Sequence, residues 1–301
     1  MKTQVAVIGA GPAGIAAAIQ LKRYKIDFLL FEKDQPGGLL KIAHRVENYP
    51  GFPNGIPGSQ LVNLLQEHLD AYKITPLYDT VMGLEYLKED NTFLISTPTS
   101  AYFAQLVMVA SGTACRNLDS LNGLPRILRE NIFYDIFPIL KERGKRILIT
   151  GADDEAFDYA LNLGTYHNEV IIAMPGKELH VLPWLVDKVA ANPRIICKKN
   201  VGIKGIAQGK IKKLSITLST SGEKIEGEVD YLIIVAGRMP QRVFYNPLLI
   251  SQARWLKAGG RFYEIGNLAN GIYRHSVISC ASGIQAAMQI AENLRQPNFG
   301  E

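Results

Sequence analysis

Apolar residues recur along this chain in two rhythms, short unbroken runs and longer stretches at helical spacing. The first run, Val5 to Ile8, is wholly apolar, as a strand buried on both faces of a parallel sheet requires. A Gly-rich turn follows, then an Ala-rich stretch predicting a helix from about Pro12 to Tyr24, then an apolar run at Phe28 to Phe31. Together these read as one βαβ unit. Gln35 to Gly58, rich in Pro and Gly, reads as a long structured loop. Leu61, Leu64, Leu65 and Leu69 give Gln60 to Tyr72 a helical period, and several strands then run to Leu106 to Ala110. The rhythm restarts at Arg146 to Ile149, a strand, with Gly151 opening a turn, Ala156 to Leu163 a helix and Val170 to Ala173 a strand. Pro193 to Asp230 reads as a β-meander, Tyr231 to Val235 as a last buried strand before Gly237, and Ile278 to Leu294 as an amphipathic helix. The pattern is a loose duplication of two nucleotide-binding-like units, the second inserted within the first.

The first Gly-rich turn, Gly9-Ala10-Gly11-Pro12-Ala13-Gly14, lies between the first strand and the first helix. Gly9 permits the tight turn, Gly11 lets a pyrophosphate approach the backbone, and Gly14 lets the helix pack on the sheet. The helix N-terminus then faces the phosphate charge. Glu32 ends the next strand about 20 residues on, where a carboxylate can take both ribose hydroxyls. A lone GxGxxG is weak; set between strand and helix and followed by an acid, it predicts a dinucleotide site.

The chain has 301 residues, 47% of them hydrophobic and 20% charged, which predicts two globular domains and argues against disorder. The net charge of +5 is mild, and no clustered basic face of a nucleic-acid binder is evident. Lys141 to Arg146 and Lys198 to Lys213 carry much of the excess. Two readings stand for both stretches: a solvated face, or a docking surface for an acidic protein. Cys115, Cys197 and Cys280 form no CxxC and no metal-ligand spacing, and the histidines are scattered, so neither a disulfide framework nor a metal site is expected. A reducing, cytoplasmic setting fits this cysteine usage best. Lys2 and the apolar run to Leu21 superficially suggest a signal peptide, but Gly9, Gly11 and Gly14 interrupt it, and no other stretch is apolar enough to span a membrane.

The chain resembles the thioredoxin reductase family and its thioredoxin reductase-like ferredoxin–NADP reductase relatives over nearly its whole length. The resemblance rests on Gly9 to Gly14, Gly37-Gly38-Leu39-Leu40, Val46-Glu47-Asn48-Tyr49-Pro50-Gly51-Phe52 and Ala110-Ser111-Gly112. It continues through Ala236-Gly237-Arg238-Met239-Pro240, Gly266-Asn267 and Tyr273-Arg274-His275. It implies an α/β fold of two three-layer Rossmann-like domains of the FAD/NAD(P)-disulfide-reductase type. The FAD-binding domain is expected at 1–115 and 243–301, with an inserted, degenerate NAD(P)-binding-like domain at 116–242. The resemblance implies FAD at the first loop, held by Gly9, Gly11, Pro12, Ala13, Gly14, Glu32 and Lys33. Further contacts are implied from Gly38, Leu39, Leu40, Ala110, Ser111 and Gly112. It also implies Asn48 and Tyr49 beside the flavin, Gly266 and Asn267 on the ribityl-phosphate, and Arg274, His275 and Ser276 on the pyrimidine edge. A homodimer is implied as well.

Departures from that pattern shape the functional expectation. The segment Asn131 to Arg146 is more similar to the ferredoxin–NADP reductase branch, and the positions matching a CxxC are approximately Tyr134 and Phe137. The second loop reads Gly151-Ala152-Asp153-Asp154-Glu155-Ala156, with a carboxylate where a nucleotide loop needs glycine. Asp153 is expected to obstruct and repel a pyrophosphate, with Asp154 and Glu155 adding charge and competing for the helix N–H groups. Helix capping by Asp153 and Asp154 is the plainer reading and agrees with lost binding. Ala173-Met174-Pro175-Gly176 offers no cation for a 2′-phosphate. Asn267 replaces the family's Asp, and the chain ends at Glu301 without the relatives' aromatic extension, which predicts a more open flavin face.

Individual residues carry two readings each. His275 tunes the flavin or is a structural donor; Cys280 lies near the flavin or is a small core residue; Tyr49 and Phe52 shield the flavin or fill their own loop. Cys115 reads as a partly exposed bystander and Cys197 as a core strand residue. Three functions follow: an FAD oxidoreductase exchanging electrons with a ferredoxin- or flavodoxin-like protein or a small molecule without NADPH; a reductase that keeps NAD(P)H; or a non-catalytic flavin-bound regulator.

Overall fold

The computed structural model describes residues 1–118, 121, 123–176, 178–210, 213–219 and 224–296. Residues 297–301 of the expected first domain, and 211 and 212 of the second basic stretch, lie outside these. Two compact units divide the chain: 1–41, 46–114 and 239–301 form the first, and 42–45 and 115–238 the second.

The first unit begins β1 (Lys2–Ile8), α1 (Pro12–Arg23), β2 (Phe28–Glu32), α2 (Gly58–Ala71) and β3 (Leu77–Tyr78). It continues with β4 (Gly83–Leu87), β5 (Thr92–Ser96), β6 (Ala101–Val109) and β7 (Thr113–Cys115), where the chain passes into the second unit. That unit holds α3 (Arg126–Arg129), β8 (Ile132–Phe133), β9 (Arg146–Thr150), α4 (Asp154–Thr165), β10 (Glu169–Met174) and α5 (Pro183–Ala190). Then come β11 (Ile195–Lys199), β12 (Gly202–Gln208), β13 (Leu214–Ser219), β14 (Lys224–Val229), β15 (Tyr231–Ile234) and β16 (Arg238–Pro240). The chain re-enters the first unit for α6 (Pro247–Ala258), β17 (Phe262–Glu264) and α7 (Ser276–Asn293).

Alternation along β1 builds the three layers of the first unit. Val5 and Val7 point into a core with Ile15, Ala17, Leu21, Ala286 and Ile290 of α1 and α7. Ala6 and Ile8 point into the opposite core, with Phe93, Ile95, Leu84, Leu249 and Phe262. Such alternation is the period of a strand covered on both faces. Within one seven-stranded sheet the long β6 changes partner on one edge: its first half pairs antiparallel with β5, and Val107, Met108 and Val109 pair parallel with β17. The parallel order is β3-β2-β1-β6 with β17 at the far edge. Close approach of α7 to α1 depends on Gly283, where a Cβ would run into the carbonyl of Ala13.

In the second unit five parallel strands, β11-β10-β9-β15-β8, carry α4 against one face. On the other face Leu148, Ile171, Ala173, Leu232 and Ile234 pack against Leu214, Ile216, Leu218 and Val229 of the β12-β13-β14 meander. Each unit is thus a three-layer nucleotide-binding-type fold, as expected.

Two expectations need correction. The meander begins at Gly202, not Pro193, because Ile195 to Lys199 pair in parallel with Val170 to Met174 and extend the main sheet. As the edge strand of that sheet β11 leaves Cys197 exposed, where a core residue was expected. Pattern reading also missed α6. Its start is nonetheless a capped one: Asn246 accepts the Leu248 N–H at 2.8 Å, and Pro247 fills the first turn.

Glu264 of β17 ties α6 to the sheet edge. Its side chain is 7% exposed, and it accepts from Arg242, from Lys257, and from the Tyr245 hydroxyl at 2.9 Å. Burial alone would raise this carboxyl, but the donors of Arg242, Lys257 and Tyr245 hold it below its ordinary value of 4.5. A folded-state pKa below the unfolded one gives stability that is present above about 4.5 and lost as pH falls through the folded value. Urea midpoints measured from pH 6 downward should therefore fall more steeply for the wild type than for Glu264→Gln. Parallel curves would show that Glu264 does not contribute.

Candidate functional site

Two strand–turn–helix junctions hold the candidate chemistry, and they are built differently. In the first, Gly9 (φ +103°) turns the chain so tightly that a Cβ would lie 2.7 Å from the Ala110 carbonyl oxygen. A Cβ on Gly14 would strike the Gly9 carbonyl. At Gly11 nothing lies within 4 Å of the position a Cβ would take. Gly11 is the N-cap of α1, makes no side-chain cap, and is followed by no acid in the first turn. The first N–H groups of any helix have no partner inside it, so those of Ala13 and Gly14 are left to whatever occupies the open side.

The other predicted residues gather round this turn. Glu32, 9% exposed, accepts the Ala10 N–H at 2.8 Å and the Asp34 N–H at 3.1 Å. An ionised carboxylate has about four lone-pair sites, so two remain for hydroxyl donors. Lys33 is exposed. Gly38 (φ +55°) comes so close that its Cβ would meet the Gly11 Cα at 3.3 Å, with Leu39 and Leu40 following in the same 3-10 turn. Gly266 (φ +67°) is pressed against Ala13, where a Cβ would lie 2.7 Å from the alanine methyl. Asn267 accepts the Ser279 hydroxyl at 3.0 Å, so its amide nitrogen is directed elsewhere. Ser111 and Gly112 are tied instead to Gln241: the Ser111 hydroxyl donates to its carbonyl at 2.7 Å, and the Gly112 carbonyl accepts its N–H.

Asn48 and His275 meet at 3.0 Å, and His275 is the N-cap of α7, with Arg274 before it and Ser276 opening the helix. The Tyr49 hydroxyl lies 3.9 Å from the Cys280 sulfur, which in turn lies 3.5 Å from the Pro12 carbonyl. Burial and the neighbouring thiol push Tyr49 up to about 12, and burial pushes the Cys280 thiol up as well. Tyr49 also packs edge-on against Phe52. The sequence reading did not place Gly37 in the site. Its φ is +114°, its N–H donates to the Ala10 carbonyl at 2.8 Å, and its signal was the Gly37-Gly38 pair after Pro36.

Across the first junction the residues fit a dinucleotide: an open glycine, an uncapped helix terminus and a buried carboxylate with spare lone pairs. The second junction does not. Asp153 is the N-cap of α4 and accepts the Ala156 N–H at 3.1 Å. Burial pushes its carboxyl up, with the charges of Glu155 and Asp154 adding to the effect. Asp154 does not compete for the helix N–H groups as expected; it accepts the Leu182 N–H at 2.7 Å. His180 donates its N–H to the Ala152 carbonyl at 3.2 Å and bridges Asp153. The chain around His180 and Leu182 is thereby strapped across the turn.

Glu155 also departs from expectation. It turns away from the helix terminus, taking the Arg238 guanidinium at 2.7 Å and the Tyr159 hydroxyl at 2.6 Å. Arg238, whose side chain is 10% exposed, also reaches the Cys115 sulfur at 2.9 Å. Cys115 is partly exposed, as expected, and is held by Arg238; burial raises its thiol and Arg238 opposes the rise. No local pattern signals this cluster, since its members come from β7, α4 and β16.

Comparison with known proteins agrees with this architecture. The family model for pyridine nucleotide-disulphide oxidoreductases matches residues 3–255. Thioredoxin reductase of Buchnera aphidicola is 26% identical over 95% of this chain and 95% of its own length. Glucosaminate ammonia-lyase of Pseudomonas fluorescens is 23% identical over 95% and 94%. Thioredoxin reductase of Lactococcus lactis superposes with a TM-score of 0.82 at 23% identity, over 99% of each chain. Bacillithiol disulfide reductase of Staphylococcus aureus gives 0.72 at 18%, over 98% and 100%. The chain belongs to the pyridine nucleotide-disulphide oxidoreductase family, among its thioredoxin reductase-like flavoproteins. Among the described residues, no helix is long and apolar enough to cross a membrane.

The Glu155–Arg238 pair generates a prediction. Removing one partner of a largely buried pair leaves an uncompensated charge, which costs roughly 3–5 kcal/mol. Glu155→Ala should lower the unfolding free energy by about that much in urea titrations, and Glu155→Ala with Arg238→Met should recover a large part of the loss. A Glu155→Ala variant as stable as the wild type would remove the pair from any structural account.

Proposed function

We propose that this protein is an FAD-dependent oxidoreductase that exchanges electrons with a protein or small-molecule partner and does not use NAD(P)H. The observation that carries the proposal is the second junction, whose N-terminal N–H group, turn and approach path are taken up by Asp153, Asp154, His180 and Leu182. A pyrophosphate there would have to displace a helix cap and a strap while facing carboxylates. The absence of any CxxC supports a chemistry other than dithiol relay: only Cys115, Cys197 and Cys280 are present, far apart in sequence.

FAD is proposed for the first junction. Gly11 would leave the pyrophosphate free to approach, and the α1 terminus would supply N–H donors and a favourable dipole. Glu32 would accept the ribose hydroxyls, with Lys33 at the rim. Gly38, Leu39, Leu40 and Ala110 would close round the same turn, and Gly266 would keep the backbone close to α1. Asn267 would offer its amide nitrogen to a phosphate or ribityl oxygen. Asn48, Tyr49, His275 and Ser276 would flank the ring, with Asn48 orienting the imidazole. When bound, the isoalloxazine supplies the redox chemistry, and the protein supplies position and electrostatics. A ferredoxin- or flavodoxin-like donor suits the mildly basic chain, and a cytoplasmic homodimer is the expected working form.

FAD should copurify with the wild type, and Gly11→Trp, which fills the open side, should give colourless protein; full flavin occupancy in that variant would move the cofactor elsewhere. In anaerobic stopped-flow mixing, excess NADPH or NADH should leave the oxidised flavin band intact while dithionite bleaches it quickly. Rapid bleaching by either nucleotide would restore a pyridine-nucleotide reductase.

A further inference from the structure

We propose that a cavity of about 430 Å³ at the β17 edge of the first unit binds a small, multiply charged anion of phosphate or carboxylate type. Its walls carry three cations, Arg242, Lys257 and Arg274, against one carboxylate, Glu264. Three positive charges less one negative leave a net charge of +2 around the space. The carboxylate is already saturated. One oxygen accepts from Arg242 Nε and the Tyr245 hydroxyl, and the other from Arg242 Nη2 and Lys257 Nζ. Glu264 is 7% exposed, whereas Arg242 and Lys257 are 43% and 44% exposed. The single anion is therefore buried, and the two cations that share it keep surface towards water.

A guanidinium has five donors and an ammonium three, so neither is exhausted by Glu264. Two cations held together by one carboxylate repel each other, and a second anion between them relieves that repulsion. A neutral donor completes the wall. Gln289 contributes an amide that the FAD proposal does not use. The volume lies within the range of small-molecule sites, roughly 300–1,000 Å³. Asn267 and Arg274 line the cavity and are also among the proposed FAD contacts; Arg242, Lys257 and Glu264 are not, and the anion proposal rests on these three.

The test is calorimetric titration of the purified protein, with whatever flavin it carries, by inorganic phosphate, pyrophosphate and citrate at low ionic strength, recording flavin absorbance throughout. At least one probe should bind at one site per chain; pyrophosphate over citrate assigns a phosphate ligand, and the reverse a carboxylate ligand. Glu264→Gln raises the net charge to +3 and should tighten binding by about two- to fivefold, the size of one added, partly exposed charge contact. Arg242→Gln with Lys257→Gln and Glu264→Gln lowers the net charge to +1 without stranding a buried charge, and should weaken binding more than tenfold in protein that still unfolds cooperatively. Three results would each overturn the proposal: no binding of any probe to the wild type at 10 mM, on the order of the weakest useful affinities; Glu264→Gln binding no tighter than wild type; or heat that appears only as flavin is released, which would place the anion in the cofactor site.

Discussion

A helix that follows a parallel strand begins with N–H groups that nothing inside the helix can satisfy, and this protein meets that constraint twice in opposite ways. At the start of α1 the N-cap is glycine, no acid follows, and the space beside Gly11 is open. At the start of α4 the N-cap is Asp153, whose side chain takes the Ala156 N–H, and the strap at His180 and Leu182 covers the turn. The first arrangement has unmet demand for an anion; the second has met it internally. A cap of this kind contributes about 1 kcal/mol, so a chain released from nucleotide binding gains stability by acquiring one.

The buried charges follow the same logic. Two of them are satisfied inside their own unit: Glu155 by Arg238 and Tyr159, Glu264 by Arg242, Lys257 and Tyr245. Both clusters fix the ends of elements, Glu155 in the first turn of α4 and Glu264 at the end of β17. Our functional reading joins these facts: a dinucleotide site kept at one junction and closed at the other suits a flavoprotein that takes its electrons from something other than a nicotinamide.

Much of this was legible in the sequence wherever the determining residues are neighbours. The β1–α1–β2 unit shows itself through an unbroken apolar run and three glycines, and α7 through its long small-residue helix. The Asp153 substitution was readable because it falls at a fixed offset within a known turn. What escaped is long-range. The assignment of β11 to the parallel sheet depends on pairing with β10, which an Ile-Ile-Cys-Lys-Lys run does not announce. The Arg238 partner of Glu155 lies 83 residues away, and no periodicity links them. Helix α6 buries little beyond Leu249 and Leu256, so its apolar period is weak and only Asn246-Pro247 marks its start. The strap was illegible because His180 and Leu182 act through backbone N–H groups.

The central claim is that the chain's own strap holds the second junction, and amide hydrogen exchange of the strap tests it most directly. With and without millimolar NADPH, the account predicts the same protection at His180 and Leu182, whose N–H groups are bonded to Ala152 and Asp154. Loss of protection at those two amides, together with new protection at the first turn of α4 when NADPH is added, would show the nucleotide displacing the strap and would contradict it.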